Sequence, residues 1–320
     1  MPDIVVMFFL LGLVAGVLRS DLTIPKAAYD TLSLLLMLTI GLKGGMALHG
    51  AVHWSLVLEL LVVASIGAVI PLLLIPALRK LAGLNLADSA SLAAHYGSVS
   101  AGTFAVVIAY ADTNSLDVGG QATLYLVMLE LPAILVALAL YRRFITSRTG
   151  DSDEQVEVGS SSALWHETLT NRGVILLAGG VLIGWMYGPD QGAGVTELFT
   201  GAFKAVLALF LLEMGLTAAE TLRPVPWHQW RLLIFALVTP MVLALVGMSV
   251  GMALGLPEGS VLVLSTLVAS ASYIAAPAAI RTAIPNANIG LAMLLSLGIT
   301  FPFNVIVGIP LYHGVLGQFT

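Results

Sequence analysis

Two stretches of small and hydroxyl-bearing residues interrupt apolar segments that are long enough to cross a membrane. Residues 95–103 read His-Tyr-Gly-Ser-Val-Ser-Ala-Gly-Thr, and residues 269–277 read Ala-Ser-Ala-Ser-Tyr-Ile-Ala-Ala-Pro. Ser98 and Ser270, the first serines of the two stretches, are 172 positions apart and occupy matching places in the two halves of the chain. Paired interruptions of this kind point to a binding site that is formed by broken membrane helices.

The composition of the two stretches favours the binding of a small anion. Gly97 and Gly102 weaken the helix in the first stretch, and Pro277 removes a backbone donor and disfavours helix at Ala276 in the second. A broken helix offers partly positive amide groups where its second half begins, and carbonyl oxygens suited to Na⁺ where its first half ends. Neither stretch contains Lys or Arg, which favours a singly charged oxyanion. The alternative is that Gly and Ser only allow close helix packing.

We predict that eleven residues of these stretches line the bound ligand. They are Gly97, Ser98, Val99, Ser100, Ala101, Gly102, Thr103, Ser270, Ala271, Ser272 and Tyr273. For Tyr273 the alternative is ordinary packing. His95, directly before the first break, is either a packed, hydrogen-bonded residue or a proton carrier that would couple the protein to H⁺.

Carboxylates inside apolar segments are costly and therefore suggest a function. Glu130 lies at mid-depth beside Pro132, and we predict that it is a cation ligand or counter-charge rather than a structural hydrogen-bond partner. Thr300 and Asn304, in the corresponding segment of the second half, could donate oxygens from the opposite side. Glu59 is expected to be solvated near the outer end of its segment.

The overall composition identifies an integral membrane protein. Of the 320 residues, 58% are hydrophobic and only 10% are charged, against about 25% charged in ordinary soluble domains. The chain has no cysteine, which excludes disulfides and thiol chemistry. It starts without the basic region of a cleaved signal peptide, so we interpret this start as the first membrane helix. No motif of a soluble enzyme is present, and we expect neither catalysis nor a cofactor.

We predict an all-α protein with ten transmembrane helices, since each span needs about 20 apolar residues. The spans are 4–19, 28–48, 54–78, 88–111, 119–143, 172–188, 199–219, 229–254, 259–282 and 288–315. If they alternate in direction, eleven of the thirteen Lys and Arg residues fall on one side, and only Lys43 and Lys204 fall towards the other. The basic side is then cytoplasmic, and both termini lie outside the inner (plasma) membrane of the cell.

The two halves resemble each other weakly. Residues 11–16 parallel 179–184, and residues 130–133 parallel 300–303. Because each half holds five spans, an odd number, the second half must be inverted relative to the first. We therefore predict two inverted five-helix repeats, residues 1–143 and 172–320, with helices four and nine broken. Residues 144–171 would form a cytoplasmic linker, or a docking site for a regulator.

These motifs resemble the sodium-dependent bicarbonate permease family (SbtA-type), best known from cyanobacteria. Residues 40–47 resemble its second-helix signature, residues 97–103 its first crossover, and residues 270–281 with 284–288 its second crossover. Residues 130–133 resemble its acidic-x-Pro-Ala stretch. The similarity extends over nearly the whole chain.

The resemblance implies Na⁺-driven uptake of bicarbonate, a homotrimer, and control by a PII-like protein at the cytoplasmic face. By position it also implies that the serines of both crossovers surround the substrate and the ion. The predicted ion ligands are Glu130, Ser100, Ser272, Thr300 and Asn304. Two departures stand out, because cyanobacterial members carry Asp where Tyr273 stands, and a Ser-Gly-Pro-Pro run where residues 275–278 stand.

The sequence thus predicts a Na⁺-coupled symporter that imports a small monoanion, most of all bicarbonate. A symporter of another small organic anion, or an H⁺-coupled transporter that uses His95 and Glu130, is the alternative. A membrane-embedded sensor that binds the anion without moving it is a third interpretation.

Overall fold

The computed structural model describes residues 3–50, 53–149, 172–223 and 229–319. The model is 83% helical, and the described residues contain no strand. The helices are α1 (Ile4–Leu18), α2 (Lys26–Leu48), α3 (Trp54–Leu81), α4 (Leu86–Gly97), α5 (Ala101–Thr113), α6 (Ala122–Thr149), α7 (Arg172–Gln191), α8 (Ala193–Thr221), α9 (Trp230–Ala253), α10 (Glu258–Val268), α11 (Ala275–Ala283) and α12 (Ile289–Leu316).

Within the described residues, seven helical stretches are long and apolar enough to cross a membrane. They are Lys26–Leu48, Trp54–Leu81, Leu86–Thr113, Ala122–Ile145, Ala193–Thr221, Trp230–Ala253 and Ile289–Leu316, and each matches a predicted span. Three other predicted spans are not among these seven stretches. Span 4–19 contains α1, which is apolar but has only 15 residues, span 172–188 lies within α7 (Arg172–Gln191), and span 259–282 is divided between the shorter α10 and α11. The length and hydropathy of these helices are those of a multi-pass membrane protein.

The predicted linker lies largely outside the described residues. α6 continues past residue 143 to Thr149, and residues 150–171 are not described. The boundary of 143 for the first half is therefore shorter than the helix that the structure shows there.

Four helices form one group, which we call the panel (α1, α2, α7 and α8). In the panel, α1 packs along α8, α2 packs along α7, and α2 also contacts α8. Small residues set the α2–α7 distance. A Cβ added at Gly180 would lie 2.9 Å from the Leu38 carbonyl oxygen and 3.0 Å from the Gly41 Cα. The two backbones thus approach as closely as in small-xxx-small membrane packing.

The same kind of contact joins α1 to α8. A Cβ at Gly12 would overlap the Leu212 carbonyl of α8, and a Cβ at Gly215 would overlap the Phe9 carbonyl of α1. Glycine is required at these crossings because a side chain would force the two helices apart. Helices held this closely are expected to move as a unit.

The remaining helices form the crossover core (α3–α6 and α9–α12). Here α3 packs on α4 and α6, while α9 packs on α10 and α12. Glu59 of α3, which we expected to be solvated, is partly exposed and accepts a hydrogen bond from the Tyr125 hydroxyl of α6. In α12, two stretches are π-helical, Leu294–Thr300 and Asn304–Gly308, on either side of Pro302. Wide turns of this kind often mark functional segments.

Candidate functional site at the crossing of two broken helices

The first break lies between α4 and α5. Residues 98–100 leave the helical conformation, with φ −85° and ψ 176° at Ser98. The Ser100 side chain then starts α5, because its Oγ accepts hydrogen bonds from the Thr103 amide and the Thr103 hydroxyl, both at 3.0 Å. This is an ordinary N-cap placed inside the protein, where Ser is among the preferred residues.

The second break, between α10 and α11, also places a serine hydroxyl beside the start of a helix. The N-cap residue of α11 is Ile274, whose side chain makes no capping bond, and the Ser272 Oγ, two residues earlier, accepts from the Ala276 amide at 3.1 Å. The sequence predicted that Pro277 disfavours helix at Ala276, and this was wrong, because Ala276 is helical and Pro277 is the third residue of α11. Its missing N–H costs little there, because the first amides of a helix have no intrahelical partner. The break itself comes earlier, at residues 269–274.

The two breaks are hydrogen-bonded to each other. The Ser100 amide donates to the Ser270 Oγ at 2.9 Å, and the Ser272 amide donates to the His95 carbonyl at 2.7 Å. Ser100 and Ser272 therefore each use the backbone N–H to hold the opposite break. These amides are satisfied by protein atoms, as buried backbone groups require in a membrane.

Helix α12 supports the crossing from one side. The Asn304 Nδ2 donates to the Ala269 carbonyl at 2.9 Å, and the Asn304 Oδ1 accepts from the Tyr312 hydroxyl at 2.8 Å. The Thr300 Oγ1 lies 2.7 Å from the Tyr96 hydroxyl and donates to the Ala236 carbonyl, also at 2.7 Å. In this conformation both side chains are engaged in holding neighbouring helices.

A small cavity of about 30 Å³ lies beside the crossing, at the boundary between the panel and the crossover core. Five residues predicted for the ligand line it together with the predicted cation ligand Glu130: Val99, Ser100, Ala101, Ser272 and Tyr273. The volume is enough for about one or two waters.

The other predicted site residues lie around this cavity without lining it. Gly97, Ser98, Gly102, Thr103, Ser270, Ala271, Thr300 and Asn304 are all buried in the surrounding structure. Gly102 is pressed against Tyr273, since a Cβ on Gly102 would overlap the Tyr273 hydroxyl. A Cβ on Gly97 would meet Pro71 at 2.9 Å and Ala133 at 3.0 Å. The glycines thus let the breaks fit between neighbouring helices.

Several buried polar atoms at the crossing have no hydrogen-bond partner among the described residues. They include the Ser98 Oγ, the His95 Nε2 and the Thr266 Oγ1. The other ring nitrogen of His95 lies 2.8 Å from the Ser91 carbonyl oxygen, which is compatible with a hydrogen bond. Unpaired buried groups are rare and usually imply a missing water, ion or ligand.

The sequence analysis missed the contribution of the panel. Ser33 and Met37 of α2, together with Leu176 of α7, line the cavity opposite the breaks. The hydroxyl of Ser33 inside an apolar helix indicated only weakly that α2 lines a site, since a Ser side chain often bonds back to its own helix. The facing helices could be known only from the fold.

In a comparison with protein families, residues 4–317 match the Na⁺-dependent bicarbonate transporter superfamily. The chain belongs to this superfamily. The match covers both halves and both breaks, and it confirms the resemblance of the motifs. A comparison with curated proteins finds no match.

Membership of the superfamily fixes the class of this transporter. It belongs to a family of transporters rather than enzymes, and in such a family Na⁺ is a coupling ion rather than a cofactor. Within the described residues there is no group of three or more His, Cys, Asp or Glu side chains that could hold a metal ion. At the level of the family, the activity is Na⁺-dependent transport of bicarbonate.

Proposed function

We propose that this chain imports bicarbonate together with Na⁺ and binds both at the crossing of the two broken helices. The observation that carries the proposal is the cavity at which Ser100, Ser272 and Glu130 meet. Two half-helices begin there, each with a serine hydroxyl bonded to an amide of its first turn, and a carboxylate lines the same cavity. An anion-attracting and a cation-attracting element thus share one small space.

The packing supports an inverted repeat of ten membrane crossings. In the first half α3 contacts α4 and α6, and in the second half α9 contacts α10 and α12. The panel shows the same correspondence between the halves. The first helix of the first half, α1, packs on the second helix of the second half, α8, and α2 likewise packs on α7. A two-fold axis in the membrane plane would relate all these pairs if α4–α5, α10–α11, α1 and α7 each cross once.

The anion is proposed to lie against the first turns of α5 and α11. Helix N-termini carry partial positive charge, which acts strongly where water is excluded. Of the described residues that line the cavity, none is Lys or Arg, so a multiply charged anion would remain uncompensated. Bicarbonate carries one charge and can both accept and donate hydrogen bonds to serine hydroxyls, which agrees with this surface.

Na⁺ is proposed to bind on the side of Glu130. A carboxylate oxygen with serine hydroxyls and carbonyls is a suitable set for a hard cation. Ser100 and Ser272 would contribute hydroxyl oxygens. Thr300 and Asn304 would act by keeping the breaks in place, and would become ligands only if α12 turns. The positive ion also reduces the repulsion between Glu130 and the anion, which explains why the two would travel together.

Transport is proposed to occur by movement of the crossover core against the panel. The cavity lies at this boundary, with Ser33 and Leu176 on the panel and the breaks on the core. An elevator-like or rocking displacement would expose the crossing to each side in turn.

The remaining proposals concern the surroundings of the transporter. The distribution of Lys and Arg supports a plasma membrane location with both termini outside. A homotrimer, and a PII-like regulator at the cytoplasmic side, follow from the family resemblance alone. Of the predicted docking segment, residues 144–171, the part from 150 to 171 lies outside the described residues.

Uptake into proteoliposomes tests the function. Purified protein should accumulate labelled bicarbonate under an inward Na⁺ gradient, and should not do so when K⁺ replaces Na⁺. Formate, acetate, nitrate and chloride serve as competitors in the same vesicles. Equal accumulation without Na⁺, or stronger competition by another anion than by unlabelled bicarbonate, would refute the assignment.

One observation supports a second candidate, H⁺ coupling. His95 is fully buried at the crossing, and its Nε2 has no partner among the described residues. Uptake that follows a pH gradient without Na⁺, and that is lost in His95→Gln, would favour this alternative.

A further inference from the structure

A second polar contact joins the panel to the crossover core, at the end of α2 that the proposed orientation places outside. The Lys43 Nζ of α2 lies 3.1 Å from the Asp112 Oδ2 of α5. The same ammonium group lies 5.0 Å from the centre of the Phe203 ring of α8. The side chains of Lys43 and Asp112 are 33% and 43% exposed, so neither charge is enclosed by the protein.

The pair borders a cavity of about 130 Å³ that is separate from the one at the crossing. Its walls include Gly44, the backbone of Gly119 and Gly120, and Thr123. A small oxyanion fits a space of this size, with a cation, a hydroxyl and backbone groups around it. The cavity thus has the chemistry of an anion site. In this conformation Asp112 neutralises the positive charge of Lys43.

The two cavities follow the same three helices. On α2, Met37 lines the crossing cavity and Lys43 the second one; on α5, Ala101 lines the first and Asp112 the second; on α6, Leu126 lines the first and Thr123 the second. Two buried apolar side chains, Ile40 of α2 and Phe104 of α5, line the second cavity and stand between these positions along their helices; we call them the apolar plug. In the proposed orientation the second cavity lies on the outer side of the crossing, and we take it as the outer approach to that site.

The outer end of α5 is also held from its other side. The Lys204 Nζ of α8 donates to the Thr113 Oγ1 at 3.2 Å, and the Thr113 Oγ1 donates to the Asp3 Oδ2 at 3.1 Å. Lys43 and Lys204 are the two basic residues that the sequence places towards the outside, and both contact the end of α5. Cations are favourable at a helix C-terminus.

We infer that Lys43 is the external recruitment site for the anion, and that Asp112 occupies it while the outer path is closed. The inference rests on the proposed function for the nature of the anion and for the orientation. Because Lys43 belongs to the panel and Asp112 to the core, movement of the core separates them. The freed ammonium then attracts the incoming monoanion before the anion reaches the crossing. An exposed pair adds little stability, so its opening is easy.

Uptake from the two sides of the membrane tests this role. Right-side-out and inside-out vesicles carrying wild type, Lys43→Gln, Lys43→Arg, Asp112→Asn and Lys204→Gln are compared. Removing a steering charge lowers capture on the order of tenfold. Lys43→Gln should therefore raise the external KM for bicarbonate about tenfold and leave the KM from the cytoplasmic side unchanged. Lys43→Arg should retain the wild-type external KM, and Asp112→Asn should lower it.

Lys204→Gln is the matched control, because it removes an outer lysine that lines neither cavity; its external KM should equal that of wild type. An external KM in Lys43→Gln that stays at the wild-type value, or that rises equally from both sides, would overturn the inference. Absence of uptake by wild type would instead refute the proposed function. The next measurement still tests the opening of the Lys43–Asp112 pair, which we call the gate.

Thiol labelling reports the gate without any substrate. The chain has no cysteine, so Met37→Cys introduces a single thiol below the apolar plug. A membrane-impermeant maleimide added outside should label this thiol slowly, and several-fold faster when Asp112→Asn is also present. Lys204→Gln should change the rate less than Asp112→Asn does. Equal rates with and without Asp112→Asn would contradict the gate.

Discussion

Ser100 and Ser270 join the two broken helices directly, since the amide of Ser100 donates to the hydroxyl oxygen of Ser270 at 2.9 Å. The Ser270 hydroxyl in turn donates to the Leu267 carbonyl at 2.7 Å. One serine therefore connects the capping residue of α5 to the last turn of α10. Displacement of either break would be felt by the other through this pair.

Replacing Ser270 with Ala should impair both stability and uptake. The Ser100 amide would remain buried without a partner, which costs about 1–3 kcal/mol. We expect a lower unfolding temperature in detergent and a reduced rate of Na⁺-driven uptake, at equal protein in the membrane.

Ser265→Ala is the matched control for this change. Ser265 is also a buried serine of α10 whose hydroxyl donates to a carbonyl, that of Ala244 at 2.7 Å. No bond to the opposite break depends on it. Both variants should be destabilised, but uptake per folded molecule should fall only in Ser270→Ala. An equal loss of uptake in the two variants would mean that the crossing bond has no special role.

Gly102 and Tyr273 form a contact that double substitution can test. A methyl group at Gly102 would overlap the Tyr273 hydroxyl, whereas the next neighbours, Phe210 and Phe301, would lie at 3.2 and 3.4 Å. Gly102→Ala should therefore abolish most uptake. Adding Tyr273→Phe removes the clashing oxygen and should restore a substantial part of it.

The double variant is compared with both single variants, Gly102→Ala and Tyr273→Phe, and with a Gly→Ala change elsewhere as the control. Gly201→Ala, in α8, meets nothing within 4 Å and should behave as wild type. Tyr273→Phe alone shows what the hydroxyl itself contributes. If the double variant is no better than Gly102→Ala, the loss comes from the backbone at Gly102 and not from contact with Tyr273.

Two adjacent glycines of α7 should respond in opposite ways. At Gly180 a Cβ would meet α2 at 2.9 Å, and at Gly179 it would meet nothing within 4 Å. Gly180→Ala should lose about 1–3 kcal/mol from overpacking, whereas Gly179→Ala should be neutral or gain up to about 1 kcal/mol from helix propensity. Unfolding of the two variants in detergent, followed by circular dichroism, checks this, and a similar loss in both would show that α7 is rotated from its position here.

Sequence reasoning could locate the breaks because their causes are local. Gly97 ends α4, and Ser100 starts α5 at the predicted stretch. Serine and glycine act there through their own conformation and capping ability, which depends little on distant residues. The same local reasoning predicted wrongly that Pro277 disfavours helix at Ala276. In the first turn of α11 the N–H that proline lacks is not needed for an intrahelical bond.

The pairings between distant residues could not be obtained in this way. The bond from Ser100 to Ser270 and the ion pair of Lys43 with Asp112 depend on how helices pack in space. Thr300 and Asn304 illustrate the limit, because their residue types suit a cation while their partners here are Tyr96, Ala236, Ala269 and Tyr312. Residue type gives the possible chemistry, and only the fold decides which neighbour uses it.

Glu130 should determine the dependence on Na⁺. Among the described residues it is the one carboxylate that lines the crossing cavity, and its replacement by Gln preserves the shape while removing the charge. We expect Glu130→Gln to raise the Na⁺ concentration for half-maximal uptake by at least about tenfold, which corresponds to about 1.4 kcal/mol of lost binding free energy. Glu59→Gln is the control, because Glu59 bonds to Tyr125 and does not line the cavity. Initial rates of labelled bicarbonate uptake over a series of Na⁺ concentrations measure both. A Na⁺ dependence that Glu130→Gln leaves unchanged would exclude this carboxylate from the ion site and direct the search to the carbonyl ends of α4 and α10.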